Sequence, residues 1–158
     1  MVVHGTGRNT LSLVEYAIFL KDKGKYDQSD QLWCVFDRDS FTAQQFNEAI
    51  RLAEHTGFNV AYSNEAFELW FILHFEFLNT GMTREEYIPK LNKLLEKWLD
   101  QEYTKNSREM YDRLESWQED AIANAKRLLN IYNPPRPEQD RPSTTVHLLV
   151  EELRKYIR

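Results

Sequence analysis

The sequence predicts an α/β fold, with a short parallel sheet in the first half and a mainly helical second half. Three observations lead there. Apolar runs of strand length, at residues 32–36 and 58–62, alternate with stretches of helical apolar spacing. Beyond residue 78 only the helical spacing continues. The 158 residues, 42% apolar and 13% aromatic, suffice for one domain with a packed core.

Taken in order, Val2-Val3 reads as the end of a strand, and His4 to Asn9 as a loop with Gly5 and Gly7. Thr10 is a cap for a helix carrying Leu13, Val14, Ala17, Ile18 and Leu20, which Gly24 stops. Residues 32–36 form a buried strand. Thr42 with Gln45 fits a capping box ahead of Phe46, Ala49, Ile50 and Ala53, and Gly57 suits the end of that helix. Residues 58–62 form a further strand, ending at Ser63-Asn64. Residues 66–77 are apolar nearly all round, the pattern of a buried helix.

In the second half, Tyr87, Leu91, Leu94, Leu95 and Trp98 share one side of a helix over residues 83–99. Residues 100–112 are polar. Leu114, Trp117, Ala121, Ala125, Leu128 and Tyr132 mark another long helix, broken by Pro134, Pro135 and Pro137. Ser143 is expected to cap a last helix carrying Val146, Leu149, Val150, Leu153 and Ile157.

No apolar run approaches the roughly 18 residues of a membrane span. The opening residues do not resemble a signal peptide, so a cytoplasmic location without membrane association is expected. Cys34 is the sole cysteine, sits mid-strand and reads as a core residue. The net charge of −5 argues against a basic module that coats nucleic acid. It leaves room for a nuclease, whose positive charge can arrive as bound metal.

The pattern of greatest chemical interest is Phe36-Asp37-Arg38-Asp39-Ser40. Side chains alternate along a strand, so Asp37 and Asp39 project to one side at its open end. Oxygen ligands there suit Mg²⁺ or Mn²⁺. The plain alternative is a solvated strand end and a helix start. Glu68 lies in the apolar context Phe67-Glu68-Leu69-Trp70. Burying its carboxylate requires a metal, a cationic partner or the helix N-terminus. Glu65 reads as an exposed first-turn acid and His74 as a core histidine. Gly5-Thr6-Gly7-Arg8, which is neither a complete GxGxxG nor a P-loop, reads either as a simple turn or as a close backbone approach with Arg8 toward a phosphate. Ser143, Thr144 and His147, with Arg136 and Arg141 before them, open the last helix either as a phosphate-binding or site-closing element or by plain capping from Ser143 with His147 on the surface. Asn124 and Lys126 read as helix-surface residues, and Trp33, Trp70, Trp98 and Trp117 as packing residues. In parallel sheets ligands bind beyond the carboxyl ends of the strands. The loop at 4–9, Asp37 to Ser40, and Ser63 to Glu68 with Asn64 are expected to meet there.

Several stretches resemble the RloB-like family, whose members are encoded near restriction–modification genes. They are Gly7-Arg8-Asn9-Thr10-Leu11-Ser12-Leu13-Val14, Trp33-Cys34-Val35-Phe36-Asp37-Arg38-Asp39 and Ala61-Tyr62-Ser63-Asn64. Phe67-Glu68-Leu69-Trp70, His74-Phe75, Asn124-Ala125-Lys126 and Pro142-Ser143-Thr144-Thr145-Val146-His147 complete them. That family is similar to Toprim domains of topoisomerases, primases and overcoming-lysogenization-defect nucleases. The resemblance implies a three-layer Toprim-like core over residues 1–78 with a helical extension over 79–158, together one domain. It also implies Mg²⁺-dependent cleavage of nucleic-acid phosphodiesters, DNA or RNA, in phage defence. Asp37 and Asp39 map onto the Toprim acidic pair. The glutamate that follows the first Toprim strand has no equivalent here, and Glu15, inside a helix, does not replace it. The absent strand would expose a sheet edge, through which a homodimer is expected.

The expected function is therefore a Mg²⁺- or Mn²⁺-dependent endonuclease. Asp37, Asp39 and Glu68 would be its metal-binding and catalytic acids. Arg8, Arg38, Asn64, Ser143, Thr144 and His147 would contact substrate, and a protein encoded in the same defence operon is an expected partner. Two alternatives stand beside it. One is a non-catalytic binding module on a degenerate Toprim scaffold. The other is a haloacid-dehalogenase-like phosphohydrolase with an aspartyl nucleophile, which would need a later acidic pair and a lysine that the sequence does not offer.

Overall fold

The computed structural model describes residues 2–5, 7, 9–24, 26–27, 29–107 and 109–156. Helix α1 (Thr10–Asp22) is capped by Asn9, whose Oδ1 accepts the Ser12 N–H at 2.8 Å. Thr10, expected to be the cap, is instead the first helical residue and is buried. Strand β1 (Trp33–Asp37) follows, then α2 (Ala43–His55) and β2 (Asn59–Asn64). The α2 capping box forms as expected. The Gln45 N–H donates to Thr42 Oγ1, and the Thr42 N–H to Gln45 Oε1, both at 3.2 Å. Gly57, just past the end of α2, has φ +83°, a conformation few other residues adopt readily.

β1 and β2 pair in parallel, with Asp37 opposite Ser63. The third strand comes from an unexpected place. It is β3 (Ser143–Thr144), antiparallel to β2, with Thr144 opposite Ser63 and Ser143 opposite Asn64. The sheet, in the order β1-β2-β3, is therefore mixed. Val2 and Val3 form no strand. They are 74% and 75% exposed and lie beside an apolar groove lined by Leu13, Trp33 and Val35.

The second half begins with α3 (Glu68–Ile72), much shorter than the helix expected over 66–77. After Ile72 the bonding turns to i→i+3, as from the His74 N–H to the Phe71 carbonyl, so regular α-helix is lost. The stretch is nevertheless buried, as its apolar pattern requires. α4 (Arg84–Leu99) starts where the Thr83 N–H donates to Glu86 Oε2 at 2.7 Å, and buries Tyr87, Leu91, Leu94 and Leu95. Trp98 departs from the expected packing role. It is 49% exposed, with the Lys97 ammonium 5.0 Å from its ring. The long helix expected around residues 114–132 is divided into α5 (Met110–Leu114), a 3₁₀ turn (Glu115–Trp117) and α6 (Gln118–Leu129). The last helix, α7 (Val146–Arg154), begins two residues later than expected, with Thr145 and not Ser143 at its cap position, because Ser143 and Thr144 belong to the sheet.

Two apolar clusters hold these elements. One joins Val14 of α1 and Phe46, Ala49, Ile50 and Ala53 of α2 to Cys34, Phe36 and Tyr62 of the sheet. Burial pushes the Cys34 thiol up to about 11, so it stays protonated, in keeping with a core role. The other cluster packs α3, α4, α5, α6 and Val146 around Leu69, Leu91 and Leu128. Among the described residues no helix is long and apolar enough to cross a membrane.

Candidate functional site

The apolar run of β1 ends at Asp37, at the carboxyl end of the parallel pair. Two exit loops meet there. The Arg38 N–H donates to the Ser63 carbonyl at 2.9 Å, and the Asp39 N–H to the Glu65 carbonyl at 3.2 Å. Asp39 and Glu65 both have left-handed backbone, with φ +49° and +82°. For Glu65 this is a strained conformation of the kind found at functional loops.

Asp37 and Asp39 open on one cavity of about 370 Å³, shared with Gly7, Asn9 and Thr10. The loop ahead of α1 and the end of β1 thus meet, and the β2 exit loop is bonded to that same β1 end. Each acid has a different partner. Asp37 Oδ2 accepts the Phe67 N–H at 3.4 Å. Glu68 is 7% exposed, and its Oε1 accepts the Tyr103 hydroxyl proton at 3.0 Å. Asp39 Oδ1 forms an ion pair with Arg84, the first residue of α4. Burial raises the Asp37 carboxyl above its ordinary value, and the charges of Asp39 and Glu68 push the same way. Arg84 and the Phe67 N–H oppose them. The Tyr103 hydroxyl is likewise raised, by burial and then by the negative Glu68 beside it, and remains a proton donor.

The donor chemistry fits a hard divalent ion, since every acid offers carboxylate oxygen. Among the described residues no three Asp, Glu, His or Cys side chains are placed to enclose an ion together. Mg²⁺ does not require such an enclosure. It is commonly held by one or two carboxylates and completed by water and phosphate. Asp37 and Asp39, facing one cavity, are suited to that arrangement.

The residues expected to touch substrate are placed differently. Arg8 lies outside the described residues. Arg38 is turned into the protein. Its Nε donates to the Phe41 carbonyl at 3.3 Å and its Nη1 to the Glu138 carbonyl at 2.9 Å. Asn64 is fully buried, and its Nδ2 donates to the Pro137 and Asp140 carbonyls at 2.6 and 3.0 Å. Both side chains therefore fasten the 136–140 loop to the sheet. Ser143 and Thr144 are fully buried strand residues and not the start of a helix, and Thr144 Oγ1 lies 2.9 Å from Ser63 Oγ. Thr144 Oγ1 also donates to the Tyr62 carbonyl at 3.0 Å, so this hydroxyl is used within the sheet. His147 is 2% exposed in the first turn of α7, and burial holds its imidazole below the usual range.

Two further corrections concern acids and amides. Glu65 is no exposed first-turn acid. Its side chain is largely enclosed and pairs with Arg141 at 3.0 Å and Arg38 at 3.9 Å. Asn124, expected on a helix surface, donates to the Leu73 carbonyl at 2.8 Å and ties α6 to the end of α3. His74 is the core histidine expected, with Nδ1 2.9 Å from the Trp70 carbonyl oxygen.

The family model described as RloB-like protein matches residues 1–153. The chain belongs to the RloB-like family. That assignment agrees with the family suggested by its Asp37-Arg38-Asp39 and Phe67-Glu68-Leu69-Trp70 motifs. No curated protein and no solved structure matches this RloB-like chain. Sequence reasoning missed Arg84 and Tyr103, the partners of two of the three acids. Thr83 and Glu86 mark the helix start that carries Arg84, but nothing local points it toward Asp39. Tyr103 sits in a polar stretch without periodicity.

Proposed function

We propose that this RloB-like chain is a divalent-metal-dependent nuclease of Toprim type, acting on nucleic-acid phosphodiesters inside the cell in defence against phage. The observation that carries the reading is the shared cavity of Asp37 and Asp39 at the end of a parallel strand pair. Asp37 and Asp39 would hold Mg²⁺ or Mn²⁺. When bound, the ion supplies a polarised phosphoryl oxygen and an activated water.

The chain's own residues supply the rest. Glu68, bonded to Tyr103, does not line that cavity, but its charge reaches Asp37, and it would act as the third acid beside the metal-holding pair. Gly7 and Asn9 border the cavity and let a phosphodiester approach the backbone. Arg38, Asn64, Ser143 and Thr144 act at one remove, by fixing the loops that carry the acids and frame the site. A defence-operon protein and a second copy of the chain are its proposed partners.

The test is cleavage of plasmid DNA and of a structured RNA with Mg²⁺ or Mn²⁺. The wild type should cut at least one of them, EDTA should stop it, and Asp37→Asn with Asp39→Asn should reduce it to background. A second reading is favoured by the Arg84–Asp39 ion pair, which already neutralises one acid. It is a non-catalytic nucleic-acid-binding module. Tight binding of both nucleic acids, unchanged by EDTA and without cleavage under any metal, would select that reading.

A further inference from the structure

Of the three acids, only Asp39 is paired with a cation among the described residues, and that cation is Arg84. Asp37 has an amide proton and Glu68 a neutral hydroxyl. A guanidinium at Asp39 and a divalent ion on the same carboxylate repel each other, so the two compete for it. Arg84 is held at the first residue of α4, while its side chain and that of Asp39 are 35% and 40% exposed. Both side chains are thus partly in solvent, although the Arg84 Nη1 that meets Asp39 is covered, and neither residue belongs to an apolar core cluster. A planar guanidinium is also well matched to phosphate oxygens, which it can bind in bidentate fashion.

We infer that Arg84 is a stand-in cation. It occupies Asp39 when the acidic site holds no divalent ion, and it turns to the substrate phosphate when one arrives. This rests on the metal-dependent reading above and adds a substrate-contacting residue to it. The exchange keeps positive charge beside the acids at every stage, so the site is never left as three uncompensated carboxylates.

The experiment measures Mn²⁺ affinity by calorimetry, and affinity for a fluorescent single-stranded oligonucleotide by anisotropy, with and without Mn²⁺. Arg84→Gln should bind Mn²⁺ about 2- to 5-fold more tightly than wild type, the scale set by a half-exposed ion pair. It should bind the oligonucleotide more weakly than wild type only when Mn²⁺ is present. Arg84→Lys retains the charge and should keep wild-type Mn²⁺ affinity, which separates lost competition from a disturbed helix start. Equal Mn²⁺ affinity in wild type and Arg84→Gln, with Asp39→Asn abolishing binding, overturns the stand-in role and leaves the metal site intact. Mn²⁺ binding that survives Asp37→Asn with Asp39→Asn, or is absent from the wild type, overturns the metal reading and this inference with it.

Discussion

The Tyr103 hydroxyl donates to Glu68 Oε1 at 3.0 Å, across a separation of 35 residues in sequence. Through this bond the segment after α4 reaches the buried acid of α3, and Arg84 at the start of α4 makes a second long-range link, to Asp39.

Tyr103→Phe removes the donor and leaves a buried carboxylate oxygen without it. The expected cost is about 1–3 kcal/mol of stability, the usual penalty for an unsatisfied buried acceptor. Urea denaturation checks it. Against a Glu68→Gln background the same substitution should cost less, since the acceptor is then uncharged, and a double-mutant cycle measures that coupling. Simple additivity would remove Tyr103 from the site.

Asp37 makes stability depend on pH in a definite direction. Its folded carboxyl is raised above the ordinary value, so the native state binds protons more tightly than the unfolded chain. Stability from this group is therefore present at low pH and lost as pH rises through the folded value. Asp37→Asn should raise the melting temperature at neutral pH, and the gain should disappear below the unfolded value near 3.8. A melting temperature lowered at pH 7 would contradict the account.

His74 acts in the opposite sense. Burial lowers it from 6.5 to about 4, so the unfolded chain binds its proton first. Stability is full above 6.5 and falls as pH drops toward 4. The loss approaches roughly 3 kcal/mol for this one residue. Replacing His74 with Gln should flatten the acid limb of a stability–pH curve, whatever it does to stability at neutral pH.

Arg38 is placed as a brace, its guanidinium bonded to the Phe41 and Glu138 carbonyls. Arg38→Lys keeps the charge but cannot reach the Phe41 and Glu138 carbonyls from two separate nitrogens. It should destabilise the protein by about 1–3 kcal/mol. Its oligonucleotide affinity should stay near wild type at temperatures where it is folded. Wild-type stability with a large loss of affinity would restore the direct role.

Asp37 was legible in the sequence because its signal is local, whereas Asp39 lies beyond β1 on left-handed backbone, so the turn and not strand alternation brings it to the same cavity. An apolar run ending in Asp37 states both the strand and its open end. The capping box of α2 and the buried character of Glu68 and His74 were legible for the same reason. Ser143 and Thr144 were misread, since hydroxyls before an apolar helical stretch look like caps. Only the ladder to Ser63 and Asn64 reveals them as a strand. Val2-Val3 had the composition of a strand but gained no strand partner. Arg84, Tyr103 and the inward turn of Arg38 depend on contacts across many residues, which no local pattern encodes.

The most direct test of the central claim is the binding of Mn²⁺ to the intact protein, followed by electron paramagnetic resonance of the free ion. One ion should be taken up per chain, and Asp37→Asn with Asp39→Asn should abolish that uptake while far-UV circular dichroism stays native. Uptake unchanged in the double variant would show that these carboxylates do not form the metal site.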